Sequence, residues 1–117
     1  MDAQQLKEQA LCIITVEEEY ETTVVNAADI LYIECKEYLT TVHLIDGQKV
    51  KSSFLLKRYE ELLHDKAFKR VNYHTLVNGR HIKRTIFSKE RRVVFIQATP
   101  IQVSRRRVAE VKKWIHA

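Results

Sequence analysis

The chain reads as mainly β with short helices. Three observations carry this. Runs rich in Ile, Val, Thr and Tyr alternate apolar and polar residues along much of the chain, the period-two pattern of a half-buried strand. The turn-forming pairs Asp46-Gly47 and Asn78-Gly79 punctuate those runs. Apolar spacing by three and four shows only after Ser53 and after Ser104.

Residues 1–10 form a polar N-terminal tail, of which 1–9 is a loose segment or a short helix, and 11–117 a single domain. Leu11 to Glu17 and Tyr20 to Val25 are strand-like, and Asn26-Ala27-Ala28-Asp29 breaks the pattern. Strands resume at Ile30 to Glu34 and Tyr38 to Ile45. In the second of these Tyr38, Thr40, Val42 and Leu44 share one face, and Leu39, Thr41, His43 and Ile45 the other. Asp46-Gly47 supplies the positive backbone angles of a tight hairpin into a return strand, Gln48 to Ser53. Ser53 then caps a helix over Phe54 to Leu63, with Leu55, Leu56, Tyr59, Leu62 and Leu63 as its apolar stripe. Phe68 to Val71 is a short strand, and Asn72 to Asn78 is irregular or a single helical turn. Arg80 to Phe87 and Arg91 to Gln97 form a hairpin around Ser88-Lys89-Glu90. Pro100 confines Ile101 to Val103 to an edge or short strand. Ser104 caps a last helix reaching Ile115, with Val108, Val111, Trp114 and Ile115 facing inward.

Composition narrows the function. Hydrophobic residues make up 45% and charged residues 30% of the 117, values of a globular chain rather than a disordered one. No apolar run approaches the ~18 residues of a membrane span. The first residues lack the basic start and apolar stretch of a signal peptide, so the chain is expected in the cytosol, with no direct membrane insertion. Cys12 and Cys35 read as buried reduced thiols. His43, His64, His74, His81 and His116 show no ligand spacing with them, so neither a metal nor a cofactor is expected. Two Gly in all leave no phosphate-cradling glycine loop. Glu17-Glu18-Glu19-Tyr20-Glu21 reads as a solvated edge, and no nucleophile context surrounds any Ser or His. No catalytic residue is expected, and the chain is not read as an enzyme.

Charge is divided along the sequence. Residues 1–65 hold 6 Lys and Arg against 13 Asp and Glu, a net of −7, and residues 66–117 hold 14 against 2, a net of +12. The basic half repels itself unless an anion lies against it, and nucleic acid is the commonest such anion. Three segments stand out. In Ser104-Arg105-Arg106-Arg107 the helix dipole disfavours three cations in a first turn, and a bound phosphate reverses that sign. In Phe68 to Asn78, the polar residues Asn72, Tyr73 and His74 follow Lys69 and Arg70 and have groups that read base edges. Glu34-Cys35-Lys36-Glu37-Tyr38 is a polar break that can present the Tyr38 hydroxyl at a loop tip.

Ile30-Leu31-Tyr32-Ile33-Glu34, Tyr38 with Val42, Phe68 to Asn78 ending in Leu76-Val77-Asn78, and Val103-Ser104-Arg105-Arg106 stand in the order and spacing of the LytTR DNA-binding domain. The chain resembles that family from about Leu11 to Ile115. The resemblance implies an elongated stack of small, mostly antiparallel sheets with two short helices. It also implies a bacterial, sequence-specific transcription regulator of double-stranded DNA, which reads successive major grooves through loops rather than a recognition helix. On this reading Arg106 is the first choice for a base contact, with Tyr38, Asn72, Tyr73 and His74 offering others. Arg105, Arg107, Lys69, Arg70 and Arg80 are the candidates for phosphate. The family often carries a His, a basic or amide residue and a Ser where this chain has Asn72, Tyr73 and His74, which implies an unusual sequence preference.

Members are usually joined to a receiver domain and bind paired direct repeats. That implies a homodimer on DNA and, in this chain, either an excised effector domain or a free-standing regulator. Its starting Met and its lead-in residues favour the second. Some free-standing members pair with a membrane-bound inhibitor protein. Two other readings stay open: an RNA-binding β-domain, and a basic module that docks an acidic protein. Duplex binding is expected to weaken steeply with salt, with a log–log slope of roughly −4 to −5 if about five of these cations meet phosphates. A titration at several salt concentrations checks this, and a nearly flat response would rule out nucleic acid.

Overall fold

The computed structural model describes residues 10–16, 20–64 and 67–117, with side chains from Thr23 onward. The expected tail over 1–9, Glu17 to Glu19 of the acidic run and the side chain of Cys12 lie outside the described residues.

Strand β1 (Ala10–Val16) pairs antiparallel with β2 (Tyr20–Asn26). The side chain of Asn26 caps a 3-10 turn over Ala27–Asp29 by accepting from the Ala28 N–H. Then follow β3 (Ile30–Lys36), β4 (Leu39–Leu44), β5 (Lys49–Ser52) and helix α1 (Leu56–Leu62). The basic half supplies β6 (Phe68–Asn72), β7 (Thr75–Asn78), a 3-10 turn over Gly79–His81, β8 (Ile82–Phe87), β9 (Arg92–Ile96) and β10 (Thr99–Gln102). It ends in a 3-10 turn over Arg105–Arg107 that runs into helix α2 (Val108–Ile115).

These strands make three antiparallel sheets: β1-β2, a central β5-β4-β3-β7-β6, and β10-β9-β8. The molecule measures 45 × 35 × 24 Å, the elongated stack the family resemblance implies. The central sheet is covered on both faces. On one face Ile30, Ile33, Val42, Leu44, Val50 and Leu76 pack with Leu56, Tyr59 and Leu63 of the α1 region. On the other, Leu31, Val71 and Val77 pack against Val94, Ile96, Ile101 and Val103 of the C-terminal sheet and against Val111 of α2. A shift of register between Ile30 and Tyr32 lets Ile30 and Ile33, three residues apart, serve the same core.

Several local expectations are corrected. The Asp46-Gly47 connection is a three-residue loop rather than a two-residue one. Leu44 N–H donates to Gln48 O at 2.9 Å, and only Gly47 has positive φ, +88°. Ser53 does not cap α1, whose N-cap is Leu55. The neighbouring Ser52 takes the capping chemistry inward. Its hydroxyl accepts from Phe54 N–H and meets the buried Tyr59 hydroxyl. Burial raises the Tyr59 pKa, and that Ser52 hydrogen bond opposes the rise. The stripe of α1 is narrower than expected, since Leu55 and Leu62 are exposed. Ser104 makes no side-chain cap, and its hydroxyl points to Val71 O instead.

The largest correction is β7. Thr75 to Asn78, expected to be irregular, is a fully buried strand between β3 and β6. With both faces covered, no solvent side marks its period, and the polar Thr75 and Asn78 at buried positions break its apolar signal. Asn78 is 1% exposed. Its amide donates to Ile30 O at 2.9 Å and accepts from Arg80 N–H at 3.0 Å. It therefore ties β7 to the start of β3 and caps the following turn.

Gly79 lies under Trp114, and a Cβ there would come within 2.9 Å of the indole. Asn78→Ala leaves buried partners unpaired and is expected to cost about 1–3 kcal/mol. Gly79→Ala forces the indole aside and is expected to cost about 1–3 kcal/mol through overpacking. Urea unfolding of each variant checks both.

Candidate nucleic-acid interface

Strand register decides which loops meet. Lys36 pairs with Leu39, so Glu37 and Tyr38 alone form the β3–β4 turn. Both have positive φ, 51° and 67°, the requirement of a type I′ turn that Asn-Gly satisfies without strain. Tyr38 was expected to share a strand face with Thr40, Val42 and Leu44. Those three are buried, whereas Tyr38 sits in the turn, 92% exposed. Beyond β3, Glu34 pairs with Thr75, so the β6–β7 turn at Tyr73 and His74 lies beside Cys35 and Lys36. Tyr73 is 70% exposed.

Hydrogen bonds lock these segments together. Cys35 N–H donates to His74 O at 2.9 Å. His74 Nδ1 lies 3.1 Å from Cys35 O. A carbonyl only accepts, so Nδ1 carries the proton there and Nε2 is left for another partner. Asn72 Oδ1 accepts from His74 N–H at 2.7 Å, and its Nδ2 donates to Gln102 O at 2.7 Å. Ser104 N–H donates to Val71 O at 3.0 Å. The segment leading into Arg105–Arg107 is thereby fastened to the same end of β6. Three stretches far apart in sequence, around Tyr38, around Tyr73 and around Arg105, share one edge of the molecule.

Two open grooves flank the Tyr73–His74 turn. One, of about 350 Å³, lies toward α1 and includes Cys35, Tyr38, Leu55, Lys57, Arg70 and Tyr73 in its lining. Cys35 is a free thiol there. The other, about 700 Å³, runs toward β10 with Tyr32, Glu34 and Lys36 on one side and Pro100, Gln102 and Ser104 on the other. On its floor Glu34 bonds His43 Nε2 at 2.9 Å, and the His43 ring stacks on Tyr32. Burial, with the Glu34 charge second, raises the Tyr32 pKa.

The expected cations divide by their partners. Arg105 and Arg106 are exposed and have no carboxylate partner among the described residues. Arg107 and Lys69 both reach Glu110 at 3.4 Å. Arg70 pairs with Glu60 at 2.5 Å, donates to Tyr73 O and lies over the Tyr73 ring. It braces the β6–β7 turn from below. Arg80 lines a separate hollow with Gly79 and Trp114, at the opposite end of both β6 and α2. The structure does not bring it to the edge that holds Arg106. Because Arg105–Arg107 form a 3-10 turn ahead of α2, they do not stand in the first turn of that helix. The dipole argument for them therefore falls, and the charge density remains.

Sequence reasoning missed Lys36 and Lys57, both exposed in the groove linings. Lys36 adjoined a marked segment. Lys57 carried no signal, because only the packing of α1 brings it near Tyr73. Among the described residues no cluster of His, Cys, Asp and Glu has a metal-binding arrangement. No helix among them is long and apolar enough to cross a membrane.

Taken together, the fold and its edge define an all-antiparallel, three-sheet module in which Tyr38, Tyr73 and the Arg105-Arg106 pair are exposed on turns at one edge. The model of the LytTr DNA-binding domain family matches residues 20–116, and the chain belongs to that family. Among solved structures it is similar to the LytTr DNA-binding domain of a protein described as a methyl-accepting/DNA response regulator from Bacillus cereus. That match has a TM-score of 0.76 at 18% identity and covers 93% of this chain and 98% of that one. None of the curated proteins compared matches this chain.

The strained turn gives a test of its own. Replacing Glu37-Tyr38 by Asn-Gly puts at these two left-handed positions the residues that adopt them most readily and is expected to raise stability by about 1–2 kcal/mol, while duplex affinity falls. Thermal melting and a DNA titration of the E37N/Y38G variant check the two halves separately.

Proposed function

We propose that this DNA-binding domain is a sequence-specific transcription regulator that reads double-stranded DNA through three loops set in successive major grooves. The observation that carries this is the shared edge: Tyr38, Tyr73 and the Arg105-Arg106 pair are exposed on segments joined by direct hydrogen bonds. A rigid row of short loops fits grooves that recur along a duplex.

Arg106 reads a base, with the bidentate guanidinium geometry that matches guanine O6 and N7. Tyr38, Tyr73 and the free Nε2 of His74 supply further contacts. Asn72 shapes the central loop, because both ends of its amide are bonded within the protein. Its second N–H and second oxygen lone pair remain for a base contact. Arg105 takes phosphate directly. Lys69, Arg70 and Arg107 take phosphate in competition with Glu110 and Glu60. Arg80 meets phosphate only where the duplex extends past the far end of α2. Two copies side by side on paired direct repeats form a homodimer on DNA. Control comes from a receiver domain or from a membrane-bound inhibitor, and the site of action is the cytoplasm. No catalytic step is assigned.

Selection from a random duplex pool identifies the site, and variants are then compared on it. Arg106→Ala is expected to cost about 1–3 kcal/mol on the selected site and to relax preference at one position. Arg105→Ala is expected to weaken selected and random duplex alike and to make the salt slope shallower by about one. If the pool yields no preferred sequence, or if Arg106→Ala weakens all duplexes equally, base reading by this edge is wrong.

A further inference from the structure

A second concentration of cations without carboxylate partners lies on the β8–β9 hairpin, outside the edge described above. Residues 82–92 hold Lys83, Arg84, Lys89, Arg91 and Arg92 against a single Glu90. Among the described residues none of these five cations has a carboxylate within ion-pair distance, in contrast to Lys69, Arg70 and Arg107. Two of them are also fixed in place. Arg84 lies over the Phe95 ring at 4.1 Å, and Arg91 over the same ring at 5.5 Å. Phe95 pairs with Arg84 across β8–β9 and with Pro100 across β9–β10. Its ring therefore stands on the face of the C-terminal sheet opposite to the core residues Val94 and Ile96.

Stacking on an aromatic ring offsets part of the cost of this crowding. It does not supply a counter-charge. It does keep two guanidinium groups against one ring, so less side-chain freedom is lost when they bind an anion. The position of the pair indicates which anion. Val103 N–H donates to Arg92 O at 2.8 Å, and Ser88 N–H to Arg91 O at 2.7 Å. The β8–β9 turn is thus tied to the strand that leads into Arg105 and Arg106. Arg91 ends that turn, and Arg84 meets the same Phe95 ring on the outer face of the C-terminal sheet.

We propose that Arg84 and Arg91, stacked on Phe95, form a second phosphate-binding surface for the duplex that flanks the recognised site. This rests on the DNA reading above and extends it: the edge takes the site, and the strip takes the DNA beyond it. An acidic protein segment would suit the same charges. Duplex is favoured because the Val103–Arg92 hydrogen bond ties this hairpin to the segment that enters the proposed reading edge.

The test compares the parent with R84Q/R91Q on two duplexes, the selected site alone and the same site with about one helical turn, ~10 bp, added on each side. The parent should bind the longer duplex more tightly. The double variant should lose that gain, roughly ten- to thirty-fold at 0.15 M salt, with a salt slope shallower by about two. On the short duplex it should match the parent. R84K/R91K should retain most of the gain, because the charge is kept, and melting curves should show all three proteins folded.

Equal affinities of parent and double variant on both duplexes would overturn the proposal. So would an equal loss on both lengths, which would place these arginines inside the site or in the fold. Unchanged DNA affinity together with lost binding to poly-glutamate would overturn it in favour of an acidic protein. Failure of the parent to bind any duplex would instead defeat the DNA reading itself and the strip with it.

Discussion

The rest of the structure hangs on the burial of β7. Four residues, Thr75 to Asn78, sit between β3 and β6 with Leu76 in one core and Val77 in the other. No water reaches their backbone, so every ladder bond must be made within the protein. That requirement sets the register of β3 against β7 and of β7 against β6. It places the β3–β4 and β6–β7 turns side by side. Asn78 closes the arrangement at the far end, where its buried amide joins β7 to the start of β3 and to the turn before β8.

With the central sheet fixed, the cost of the exposed edge becomes visible. Two non-glycine residues hold left-handed angles at the β3–β4 tip, and a bulky ring stands in water there. Arg105 and Arg106 lie next to each other with no carboxylate partner among the described residues. Left-handed angles occur also at Ala67 and Gln97, but only at the β3–β4 tip do they coincide with an exposed ring and neighbouring unrelieved cations, a combination that a partner would compensate. The opposite end has the Trp114 indole laid over Gly79 and a left-handed Ala67 beside it.

Much of the candidate site was legible because its signals are chemical. Arg105-Arg106-Arg107, Asn72-Tyr73-His74 and the polar break at Tyr38 announce themselves as charge or polarity inside apolar sequence. The strands with one solvent face were legible through their period of two, as at Thr40, Val42 and Leu44. The helices were found through their stripes, but their starts were misread at Ser53 and Ser104. In both cases the serine was taken for a cap on proximity alone, whereas the hydroxyls that matter turn toward Phe54, Tyr59 and Val71.

By itself the sequence determined the mainly β class, the order of the elements, the separation of acidic from basic halves and the residue types able to meet an anion. These follow from local periodicity and side-chain chemistry, which each short window carries. Only the tertiary structure decided that Thr75 to Asn78 is a central strand and that Glu60 and Glu110 claim Arg70, Lys69 and Arg107. It alone decided that Arg80 stands away from Arg106, and that Arg84 and Arg91 meet on one ring. Each of these depends on strand register and on which faces are covered. They arise from pairings between distant parts of the chain, and no local pattern of residues encodes them.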